Sequence, residues 1–116
     1  MHLMNAALLK LLHEKKAIVF ESSNASDFLR YSKSLYTQKL LSLLKHKAIP
    51  FHFLRTKEDL ENLRISPSET LVVAATSHFT MSARDAGFSV IALSPLSLPA
   101  EFNVPDAYSL YNIMNW

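Results

Sequence analysis

Three places in this 116-residue chain gather side chains that could hold an anion or move a proton. Glu21 closes the apolar run AIVFE (17–21) and is followed by Ser22, Ser23, Asn24, Ser26 and Asp27. Thr56 follows IPFHFL (49–54), and Thr76, Ser77 and His78 follow TLVVAA (70–75). Hydroxyl and amide groups beside the free N–H groups of a helix start can bind phosphate or carboxylate. Glu21, Ser22, Ser23, Asn24, Thr56, Thr76, Ser77 and His78 are therefore the candidate anion site. Each has a plainer reading. Glu21 is expected to be a charge at a strand end, exposed to water. The Ser22–Asp27 loop is expected to do turn and cap chemistry. Thr56 and Thr76 read as N-caps, each stabilising by roughly 1 kcal/mol. Ser77 and His78 could be a nucleophile and its base, but neighbours at a helix start seldom aim at each other, and no third group is placed to orient them.

Metal and thiol chemistry have little to draw on. The histidines (His2, His13, His46, His52 and His78) show no HxH or HExxH spacing, and there is no cysteine. No metal site and no cofactor are expected, and the absence of cysteine suits a reducing compartment. The only glycine is Gly87, where average usage of about 7% would give about eight. Glycine-rich phosphate loops are thereby excluded, and an anion would have to be held by helix N-termini and hydroxyls.

The elements that must position these residues follow from periodicity. AIVFE (17–21), IPFHFL (49–54), TLVVAA (70–75) and FSVIAL (88–93) read as four apolar strands, the first, third and fourth of them buried. Between them lie a short helix or irregular loop over 27–34, a helix over 35–47 with Leu40, Leu41, Leu43 and Leu44 at helical spacing, a helix over 57–64 and a helix over 78–86. Thr56 with Asp59 makes a variant of the capping box. Phe79, Ala83 and Ala86 are the expected inner face of the helix over 78–86, and Gly87 its left-handed stop. MHLMNAALLKLLHEKK (1–16) lacks the basic start and small-residue cleavage site of a signal peptide. It reads as an amphipathic helix over 1–15 with Met4, Leu8, Leu11 and Leu12 on one stripe. Beyond 93 the chain is expected to be mostly loop, with Pro95, Pro99 and Pro105, before a short helix within 106–114.

Strands alternating with helices give an α/β protein, a three-layer α/β/α sandwich around a parallel Rossmann-like sheet of four or five strands. Ligands of such sheets bind beyond the carboxyl ends of the strands, where the segments Glu21–Asp27, Arg55–Lys57 and Ala75–His78 converge. Hydrophobic residues make up 49% and charged residues 19% of the chain, with a formal charge of +2. That is the composition of one soluble globular domain with no membrane span, and the excess charge is too small to suggest nucleic acid. Lys45, His46 and Lys47 could meet an acidic partner, although a solvated helix end is the plainer reading. The aromatic tail, Phe102, Tyr108, Tyr111 and Trp116, could be an interface or a flap closing the sheet edge.

The run SPSETLVVAATSHFTMSARDAGFSVIAL (66–93) resembles the last conserved block of haloacid dehalogenase-like (HAD-like) hydrolases, and PDAYSLYNIM resembles that family's closing segment. KAIVFESSNASD then sits where the family carries its nucleophile strand, and Thr56 matches its phosphate-binding Ser/Thr. The resemblance spans 16–114 and is most specific over 66–93. It implies an aspartyl nucleophile and several carboxylates around Mg²⁺. This chain departs at each of those positions. Glu21 replaces the nucleophile, Ser23 the acid–base aspartate, Ala74 and Ala75 the Gly-Asp pair, and Phe79 a further carboxylate. Alanine and phenylalanine offer a cation no oxygen, and a reacting atom displaced by ~1 Å can cost about 10²-fold in rate. The short spacing between the first two strands leaves no room for a large cap domain. The expectation is a degenerate, non-catalytic HAD-like protein of unknown role. It would be cytoplasmic and act as a binding or interaction module through self-association, another protein or a small anionic ligand. The alternative is a small Rossmann-like enzyme acting on a phosphorylated or carboxylated small molecule.

Overall fold

The computed structural model describes residues 3–21, 35–94, 97–105 and 107–114. The expected Ser22–Asp27 loop, the segment 27–34 and Trp116 lie outside them, as does the Met4 side chain. The elements run α1 (Leu3–Glu14), β1 (Ala17–Glu21), α2 (Leu35–His46), β2 (Phe51–Leu54), α3 (Lys57–Asn62), a 3₁₀ turn (Pro67–Glu69), β3 (Thr70–Ala74), α4 (Ser77–Asp85), β4 (Ser89–Leu93), β5 (Phe102–Val104) and α5 (Ala107–Met114).

All five strands are parallel, in the order β2-β1-β3-β4-β5. Side chains alternate across the pleat, so the inner strands β1, β3 and β4 each feed two cores. Ile18, Phe20, Leu71, Val73, Ile91, Leu93 and Val104 face the layer of α1, α2 and α5, where they meet Leu8, Leu12, Leu40, Leu44, Leu110 and Met114. Val19, Val72, Ala74 and Val90 face α3 and α4, where they meet Leu60, Phe79 and Ala83. Burial on both faces is why β1, β3 and β4 are continuous apolar runs rather than alternating ones, whereas edge strand β2 has no buried residue.

The strands begin or end within a residue or two of the expected positions. Three features differ. The stretch read as loop after residue 93 contains β5, a three-residue edge strand in register with β4 (Ile91 beside Phe102, Leu93 beside Val104). Asn103 points off the ladder and ties back to Leu98 through its side chain, accepting from the Leu98 N–H at 2.8 Å. The helix after Thr56 stops at Asn62, with Leu63 already extended. The inner face of α4 is Phe79, Thr80 and Ala83, while Ala86 is exposed. Thr80 can be buried because its hydroxyl donates to the Thr76 carbonyl at 2.7 Å.

Two helices end in the same Schellman geometry. At α4, Phe88 N–H donates to Ala83 O and Gly87 N–H to Arg84 O; at α2, Ile49 N–H donates to Leu44 O and Ala48 N–H to Lys45 O. The residue at the left-handed position is Gly87 (φ +93°) in one case and Ala48 (φ +58°) in the other. Alanine there is strained by roughly 1–2 kcal/mol. The two sites therefore respond in opposite directions. Ala48→Gly should stabilise by up to about 1 kcal/mol after the added unfolded-chain entropy is subtracted. Gly87→Ala should destabilise by about 1–3 kcal/mol through backbone strain, because the new methyl would meet Pro67 Cβ only at an ordinary 3.8 Å. Urea midpoints at constant slope measure both.

Candidate functional site

Parity decides where Glu21 points. Ile18 and Phe20 face one core and Val19 the other, so Glu21, two residues beyond Val19, faces the α4 side. On the neighbouring strand β3, Ala74 faces the same way, and the chain then turns through Ala75 and Thr76 into α4. The Glu21 carboxylate meets that turn. It is 2% accessible. Its Oε1 accepts from Ala75 N–H at 2.8 Å and from Thr76 N–H at 3.0 Å. Thr76 Oγ1 lies 3.1 Å from Oε1 and 3.0 Å from Oε2, donating to the carboxylate. The expectation of a water-exposed charge at the strand end is thus overturned. A carboxylate out of water is costly unless it is hydrogen-bonded, and here two backbone donors, a hydroxyl and the positive end of the α4 dipole satisfy it.

Thr76 works in two directions. Its hydroxyl donates to Glu21 and also accepts from Phe79 N–H at 3.3 Å, which is the N-cap bond of α4. Thr56 is likewise an N-cap. Its Oγ1 accepts from Asp59 N–H at 3.2 Å, and Asp59 Oδ2 accepts from Thr56 N–H at 3.3 Å and Arg55 N–H at 3.2 Å. The capping box is complete.

Between these two helix starts lies a cleft of about 350 Å³ at the carboxyl ends of β1, β2 and β3. Glu21, Thr56, Thr76 and His78 line it together with Arg55, Glu58 and Phe79. The structure thus gathers four of the eight nominated residues. Ser77 is exposed at the first turn of α4 and is not part of the lining, and no hydrogen bond joins it to His78. Ser22, Ser23 and Asn24 lie outside the described residues. Arg55 belongs to the segment 55–57 expected at the strand ends but is not among the eight, and Glu58 carries no sequence signal beyond lying in the first turn after the Thr56 cap. Among the described residues no group of three or more His, Asp or Glu side chains could hold a metal ion, and no helix is long and apolar enough to cross a membrane.

The strand order 2-1-3-4-5 with a cleft beside β1 and β3 is that of a doubly wound α/β protein, whose ligands sit where the strand order reverses. Compared with known proteins, the chain matches no family model, no curated protein and no solved structure.

The geometry separates the two halves of the Glu21–Thr76 contact. Glu21→Ala should destabilise by about 3 kcal/mol or more, since it leaves buried donors unmet. Glu21→Gln keeps one acceptor oxygen but places an N–H₂ group against the Thr76 hydroxyl, and should cost about 1–2 kcal/mol. Thr76→Val removes donor and cap together and should cost about 2 kcal/mol, whereas Thr76→Ser keeps both and should stay near wild type. Chemical denaturation of the four variants gives this order; equal stability of Glu21→Ala and wild type would contradict it.

Proposed function

We propose that this chain is a non-catalytic, HAD-like α/β module that acts by binding and does not turn over a phosphorylated substrate. One observation carries the reading: at both helix starts of the strand-end cleft the chain's own carboxylates already take backbone donors that an incoming anion would use. Glu21 accepts from the Ala75 and Thr76 N–H groups just before α4, and Asp59 accepts from the Arg55 and Thr56 N–H groups just before α3. An incoming phosphate would have to displace a covalently tethered competitor, whose effective concentration is high because it never leaves.

Aspartyl-type phosphoryl transfer also needs a carboxylate oxygen with a lone pair aimed at phosphorus. Glu21 Oε1 is within hydrogen-bonding reach of three donors and lies under the β3–α4 turn. Such an oxygen has its charge dispersed into hydrogen bonds and its position fixed, both of which lower its reactivity. Where the resembling hydrolases place carboxylates for Mg²⁺, this chain has Ala75 and Phe79. Ala74 and Phe79 are spent on packing in the core beneath α4.

The test combines turnover with stability. With Mg²⁺ and p-nitrophenyl phosphate or acetyl phosphate, hydrolysis should not exceed that of Glu21→Ala. Inorganic phosphate should leave the wild-type melting temperature unchanged. In Glu21→Ala the vacated donors should accept formate, which at 100 times its Kd would return about 2.7 kcal/mol. Mg²⁺-dependent turnover that Glu21→Ala abolishes would refute the reading in favour of a small enzyme. A phosphate-induced rise in wild-type melting temperature would point to an anion-binding site instead.

A further inference from the structure

Two charged side chains in the strand-end cleft are not used by the fold. Arg55 gives α3 only its backbone N–H, which donates to Asp59 at 3.2 Å. Glu58 stands in the first turn of α3 and makes no side-chain hydrogen bond. Both line the cleft and both are exposed, yet no ion pair joins them to each other or to another described residue. Thr56, also in the lining, keeps its proton to donate. Its Oγ1 accepts from the Asp59 N–H at 3.2 Å, and no described group accepts from it.

A cleft that holds separated opposite charges selects against simple ions. An anion drawn to Arg55 meets the carboxylates of Glu58 and Glu21, and a cation drawn to those meets Arg55. A ligand carrying both signs satisfies each pole. The volume, about 350 Å³, lies at the small end of ligand pockets, roughly 300–1,000 Å³. It suits a single small molecule, whereas a peptide carries its terminal charges far apart. Phe79 adds an apolar wall.

We infer that this cleft is a binding site for a small zwitterion of the amino-acid class. The Arg55 guanidinium takes the ligand carboxylate through paired N–H donors, with the Thr56 hydroxyl beside it, and the Glu58 carboxylate takes the ammonium. No backbone N–H group of α3 or α4 is needed, so the carboxylates of Glu21 and Asp59 stay in place. The inference rests on the binding reading and supplies its ligand class. Turnover of p-nitrophenyl phosphate would refute that reading by itself, whereas titrations that fail without turnover would remove the zwitterion alone.

The experiment is an NMR titration of the wild-type chain with the standard amino acids, β-alanine and γ-aminobutyrate, following backbone amides. At least one compound should give saturable shifts centred on Thr56, Glu58 and His78. Its deaminated acid and its decarboxylated amine should each bind about tenfold or more weakly. Arg55→Gln and Glu58→Gln should each weaken the amino acid by a similar factor. In Arg55→Gln the amine should bind as tightly as the amino acid, and in Glu58→Gln the acid should, a pattern that a merely structural role does not produce. Both side chains are exposed, so circular dichroism and urea midpoints of the two variants should match wild type. No saturable shift with any of these compounds, single-charge analogues that bind wild type as tightly, variants that bind like wild type, or shifts centred elsewhere would each overturn the proposal.

Discussion

The Glu21 carboxylate, lodged under the turn that joins β3 to α4, is the constraint on which the rest of the molecule leans. Stripping a carboxylate of water costs several kcal/mol when nothing replaces the solvent, a large share of the 5–15 kcal/mol that holds a typical domain together. The fold must therefore deliver donors to that point, and it does so with Ala75 N–H, Thr76 N–H and the Thr76 hydroxyl. Because Thr76 is also the cap of α4, the bond that satisfies Glu21 also fixes where the helix begins. That start point sets the angular position of Phe79, Thr80 and Ala83, and hence the packing of the core beneath α4. Strand β1, strand β3 and helix α4 are coupled through one side chain.

The same arrangement sets the chemistry at the strand ends. A helix N-terminus attracts negative charge whatever its source. Here the source is internal twice over, Glu21 at α4 and Asp59 at α3. An α/β cleft in the usual ligand position thus already holds one of the chain's own carboxylates beside each helix start. What stays open at the rim is Arg55, Glu58 and His78, one carboxylate and two basic side chains that do not sum to a strong field of either sign.

How much of this was legible beforehand depended on whether the signal was local. Strands β1, β3 and β4 were readable because burial on both faces turns each into an unbroken apolar run. The Thr56–Asp59 box and the Gly87 stop were readable because capping is written in residue types at fixed offsets. Strand β5 was not. Three residues between prolines have no period to detect, and β5 exists because the edge of β4 offers it hydrogen bonds. Ala48 escaped for the opposite reason: alanine is the residue least expected at a positive φ, and the turn is imposed by where β2 must start. The state of Glu21 was illegible in principle. Two of its donors are backbone N–H groups, which no sequence pattern marks, and they lie 54 and 55 residues away. A glutamate closing an apolar run looks the same whether it faces water or a helix dipole.

Sequence resemblance and structural role separate at this residue. If Glu21 is read as a substituted nucleophile, the chain has lost a reaction. If it is read as a tethered anion, the substitution has a positive consequence. The extra methylene over aspartate lets the carboxylate reach across from β1 to the turn after β3, and small residues at 74 and 75 leave the two strands closely paired there, with Phe20 beside Val73 in register. Without that carboxylate the Ala75 and Thr76 N–H groups and the α4 dipole would face the cleft unsatisfied. A glutamate at the end of β1 supplies the acceptor within the same chain. Glu21 is therefore the residue that makes this strand end compatible with a stable fold.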